Sequence, residues 1–65
     1  MTVRELLDHT AADVSIDIED AEENVLASGT ASDLDSKYMD YEVGQFIPTV
    51  FRYNSVWIAA LIIRI

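Results

Sequence analysis

The last ten residues, Val56 to Ile65, constrain this chain more than any other segment. Read as a strand, they place Trp57, Ala59, Leu61, Ile63 and Ile65 on one face. Val56, Ile58, Ala60, Ile62 and Arg64 fall on the other. Both faces are apolar until Arg64, and a strand of that kind is stable only where both sides are covered. With 65 residues, the chain is a single domain, 1–65, which buries only about 60% of the surface its unfolded form exposes. Two short helices cover one face of a four-stranded sheet, and little chain is left for the other. The pattern therefore predicts a homodimer in which Val56, Ile58, Ala60 and Ile62 form the contact face, while Trp57, Leu61 and Ile63 pack under the helices. The competing arrangement is a sheet curled tightly enough for one chain to cover both faces.

The remaining elements follow from local signals. Thr2-x-x-Glu5 has the spacing of a capping box, and Val3, Leu6 and Leu7 make an apolar stripe, so a helix starts at Thr2 and ends near His9 or Thr10. Val14 to Glu19 alternates strictly, predicting a strand with Val14, Ile16 and Ile18 inward and Ser15, Asp17 and Glu19 in solvent. Asp20 to Asn24 suits a hairpin loop, and Val25 to Gly29 returns as a second strand. Thr30 to Asp40 reads as a short helix with Ala31, Leu34 and Tyr38 on one side, capped by Thr30 or Ser32. Tyr41 to Tyr53 is rich in β-formers, with Gly44 and Pro48 predicting a bulge or an edge position. Asn54-Ser55 predicts a turn. The fold class is α+β, in the order α-β-β-α-β-β, with a small antiparallel sheet of two hairpins and two short helices.

Charge is unevenly distributed. All twelve acids lie between Glu5 and Glu42; against Arg4 and Lys37 they leave −10 on residues 1–42, while Arg52 and Arg64 give the rest +2. Such a chain does not bind nucleic acid directly, because phosphate contacts need Lys and Arg. It favours a protein partner with a basic surface. Asp17, Glu19, Asp20, Glu22 and Glu23 are the candidate partner-binding residues, a charged row that imitates the phosphates of DNA. The plainer explanation is an acidic surface that keeps a small protein soluble, and a composition this acidic is also that of proteins adapted to high salt.

No catalytic constellation emerges. His9 is the only histidine and there are no cysteines, so a zinc site with several His or Cys ligands and a Cys-His pair cannot be built within one chain. Asp33-x-Asp35 begins like a calcium loop, but Lys37 and Tyr38 stand where Asp or Asn and Gly are required. No cofactor is called for. The N-terminus lacks the apolar core of a signal peptide, and Val56 to Ile63 is too short to span a bilayer, which points to the cytoplasm.

Met1-Thr2-Val3-Arg4-Glu5-Leu6-Leu7, the strand Val14 to Ile18, the small-residue return Ser28-Gly29 and the apolar end Trp57 to Ile63 together resemble short acidic proteins of Firmicutes phages and mobile elements. In size and charge, these are similar to anti-CRISPR and other anti-defence inhibitors. The resemblance implies action in the host cytoplasm and inhibition of a basic, nucleic-acid-binding defence protein. A non-enzymatic protein-binding module is thus the expected function. The alternative is a self-assembling structural or accessory protein without inhibitory activity.

Overall fold

A computed structural model describes residues 1–65. Helix α1 spans Val3–Asp8 and begins with the anticipated capping box. The Glu5 amide donates to Thr2 Oγ1 (3.2 Å), and the Thr2 amide donates to Glu5 Oε1 (3.0 Å). The amides of Val3 and Arg4, also unpaired within the helix, donate to the carbonyls of Tyr41 and Met39. The helix stops as Thr10 Oγ1 donates to the Leu6 carbonyl (2.8 Å), diverting an acceptor that a further turn would use.

Strand β1 is Ser15–Glu19 and β2 is Val25–Thr30, paired antiparallel with an irregularity between Ile18 and Glu19. The loop between them is built on Asp20. Its Oδ1 accepts from the amides of Glu22 (2.9 Å) and Asn24 (3.0 Å), and Glu23 takes a left-handed φ of 68°. Strands β3 (Gln45–Tyr53) and β4 (Val56–Arg64) form a long hairpin. Its two-residue turn, Asn54-Ser55, has φ of 49° and 64°, the positive pair that matches the twist of the flanking strands.

The sheet order is β2-β1-β4-β3. The expectation of a purely antiparallel sheet is corrected here, because β1 and β4 run parallel and the sheet is mixed. The continuous apolar character of β4 explains its central place, since a strand between two neighbours is the one that benefits most from being apolar on both sides. Pro48 lies on the edge strand β3, where a residue without an N–H is tolerated.

The second helix is also corrected. Only a 3-10 turn, Ser36–Tyr38, forms between Thr30 and Asp40. The side chains compete with helical hydrogen bonds: Thr30 Oγ1 donates to Asp33 Oδ2 (3.2 Å) and Asp35 Oδ1 accepts from the Lys37 amide (3.0 Å). Leu34 still enters the core, and Ala31 and Tyr38 still pack against it, but along an irregular path.

The core is small. Val3, Ile16, Ile18, Leu34, Leu61 and Ile63 are buried together. The register sets Ile16 beside Leu61 and Ile18 beside Ile63, so one face of the sheet meets α1 and the segment 31–43. No helix or strand lies on the opposite face. The result is a slab with Cα extents of 34 × 25 × 17 Å, two layers thick.

Candidate binding surfaces

β1 begins level with Ala60, because its first residue, Ser15, pairs with it. Val56 to Ala59 therefore pair only with β3, and the tip of the β3–β4 hairpin is a two-stranded arm. The alternation along the strands directs Phe51, Tyr53, Val56 and Ile58 to the uncovered face of the sheet, in line with Ala60 and Ile62. Val50, Arg52 and Trp57 take the other side of the arm. Tyr53 is 63% exposed, Val56 60% and Trp57 65%. Placing Trp57 under a helix is thus corrected. The covering layer ends before reaching it, and the Arg52 guanidinium lies 5.8 Å from its ring centre instead. Leu61 and Ile63 do pack under α1 and the 31–43 segment. Ile58, Ala60 and Ile62 are half-buried by their strand neighbours alone.

The uncovered face is concave. A hollow of about 610 Å³ is lined by residues that include Ser15, Ser28, Thr30, Thr49, Phe51, Ala60 and Ile62. Asp17 is the one ionisable side chain lining it, and its Oδ1 accepts from Ser28 Oγ at 2.7 Å.

The five candidate carboxylates do not act as one row. Asp17 is half-buried in the hollow. Glu19, expected in solvent, is buried, and this too is a correction: Arg64, its partner in the parallel register, donates from Nε to Glu19 Oε1 at 3.2 Å. The same guanidinium donates to Glu23 Oε1 (3.1 Å) and Gln45 Oε1 (3.2 Å). Asp20 is occupied by its own loop. Hydrogen bonds from the Asn24 amide and side chain hold its pKa below the ordinary carboxylate value. Glu22 is exposed and its carboxylate makes no hydrogen bond within the chain.

Acids outside that group make a second acidic region. The chain at 11–14 lies against 31–33 through bonds from the Ala31 amide to the Val14 carbonyl (3.0 Å) and from the Ser32 amide to the Ala12 carbonyl (3.2 Å). This sets the exposed Asp13 and Asp33 on adjoining segments, with Asp35 two residues further along. None of the three is in an ion pair, whereas Asp40 pairs with Arg4 (3.3 Å) and Glu42 with the N-terminal ammonium (3.0 Å). That hydrogen bond to Glu42 raises the amine's pKa. The capping amide of Thr2 lowers that of Glu5.

His9 is exposed at the end of α1 with Nδ1 3.0 Å from the Glu5 carbonyl oxygen, and the chain has no second imidazole and no thiol. No three acidic or imidazole groups converge as metal ligands would. Placing Trp57 under the helices from the sequence missed the arm. The signal was present in the strand lengths, because a hairpin of two nine-residue strands outruns a five-residue neighbour. No family model, curated protein or solved structure matches this chain.

Proposed function

We propose that the chain is a non-enzymatic protein-binding module that engages a basic protein through its acidic outer layer. The observation that carries this reading is the segregation of charge in three dimensions. The arm and most of the uncovered face come from residues 45–64, which contain no acid. The unpaired carboxylates Asp13, Asp33 and Asp35 belong to the loops, with Glu22 at the β1–β2 loop. A basic, nucleic-acid-binding protein of the kind that phage inhibitors disable is the partner class this charge favours. Contacts between exposed opposite charges are screened beyond about 8 Å at physiological salt, so such a complex weakens as salt rises.

The test is a salt titration of binding to a basic host protein captured by the wild-type chain, repeated with Asp13→Lys/Asp33→Lys and, separately, with Asp17→Lys/Glu22→Lys. Loss of affinity in the first pair assigns the surface to the loop layer, and loss in the second assigns it to the β1–β2 side. Binding indifferent to both pairs and to salt would end the charge-based reading.

A further inference from the structure

We propose that the uncovered face of the sheet is closed by a second copy of the same chain, in a two-fold dimer that packs the two sheets face to face. The proposal deepens the reading above, because it leaves the acidic layer outward on both sides of the pair.

Three observations select this occupant. The first is area. The slab's 34 and 25 Å Cα extents give its broad side a footprint of about 850 Å², of the same size as the ~800 Å² per partner of a stable protein interface. The second is charge. The strands β3 and β4 that make most of this face carry no acid, and their Arg64 is already held by Glu19 and Glu23. A basic partner thus finds no excess of anions here, while a surface of the same kind meets only charges that already have partners, Asp17, which accepts from Ser28, and the Glu19–Arg64 pair. The third is shape. The hollow runs from Asp17 and Ser28 across small Ala60 and Thr49, paired to each other, to Phe51, and bulky Tyr53 and Val56 lie beyond it at the arm end of the face. A two-fold axis crossing the strands near the Phe51–Ile58 pair sets Tyr53 and Val56 of each copy over Thr49 and Ala60 in the other copy's hollow and satisfies the requirement that an isologous patch be complementary to itself. It also removes the hazard of an exposed, proline-free apolar strand.

The dimer differs from a basic partner in its response to salt. Each copy carries a formal charge of −8, so the long-range repulsion between copies is relieved as salt screens it. Sedimentation equilibrium of the full chain, from about 1 to 300 μM and from about 50 to 500 mM NaCl, reads both. The expected species has twice the 7.3 kDa chain mass, with a dissociation constant that falls as salt rises. Tyr53→Lys changes a residue 63% exposed in the single chain, so it leaves the fold intact by circular dichroism; it should weaken dimerisation at least tenfold. Trp57→Lys, on the other side of the arm, should leave dimerisation within threefold. A wild-type monomer at the highest concentration overturns the proposal. So does a dimer that Tyr53→Lys leaves unchanged, or one that Trp57→Lys dissociates in preference. A monomeric result leaves binding to a basic protein to be judged by its own salt titration, so the two readings fail separately.

Discussion

Replacing Arg64 with Met removes the only cation that reaches Glu19. Glu19 is 8% exposed, and three polar groups converge on the Arg64 guanidinium: Glu19, Glu23 and Gln45. Breaking a buried ion pair from one side costs about 3–5 kcal/mol, because the surviving charge is left without its partner in a poorly solvated place. The Arg64 side chain retains 26% of its exposure, so the lower end, about 3 kcal/mol, applies. Glu23, at 69% exposure, adds less than about 1 kcal/mol. A domain of this length has a total stability of roughly 3–10 kcal/mol, so Arg64→Met removes a large share of it. Glu19→Met/Arg64→Met eliminates both charges and should return to within about 1 kcal/mol of wild type, since apolar replacement of a whole buried pair is often neutral. Urea denaturation of the two single variants and the double variant measures the cycle. A loss below about 1 kcal/mol in Arg64→Met would refute the claim that Glu19 depends on Arg64 for its burial.

Thr2→Ala removes the acceptor for the Glu5 amide and should cost ~0.5–2 kcal/mol. In a domain of this size, that lowers the melting temperature by about 4–8 °C per kcal/mol. Ser55→Gly relieves a left-handed φ of 64° at the hairpin turn. It should stabilise the arm by about 0.5–1 kcal/mol, read as slower amide exchange at 50–59. Stability should also fall at both ends of the pH scale. Glu5 and Asp20 have folded pKa values below their unfolded ones, so their contribution is complete above the ordinary carboxylate range and is lost as pH falls through the folded values. The N-terminal amine is raised by Glu42, so its contribution is complete below the ordinary value of 8.0 and is lost as pH rises through the folded value. Melting curves across pH should show a plateau between these limits, and Asp20→Asn should flatten the acid side.

Signals that lie within a few residues were legible in the sequence. The alternation that buries Ile16 and Ile18, the Thr2–Glu5 box and the Asn54-Ser55 turn each depend on neighbours close in the chain. Pro48 on an edge strand is a local signal with a topological consequence. What was not legible depends on partners far apart. Whether β1 meets β4 parallel or antiparallel is decided by how 31–43 crosses the sheet, and Thr30, Ser32, Asp33 and Asp35 turn that segment away from a helix. Glu19 looks like a solvent residue until Arg64, 45 positions away, is placed beside it. Trp57 looks like core until the covering layer is seen to end before it. The acidic residues were visible by count, but their division into occupied and free carboxylates belongs to the tertiary structure.

The central claim is that β4 is covered on one side by its own chain and on the other by a second copy. Hydroxyl-radical footprinting at low and high protein concentration tests it most directly. Ile18 and Ile63, both fully buried in the single chain, should be protected at every concentration. Phe51 and Tyr53 should be modified readily when the protein is dilute and become protected as it is concentrated. Equal modification of Tyr53 at all concentrations would contradict the covered face, and modification of Ile63 would contradict the fold that buries it.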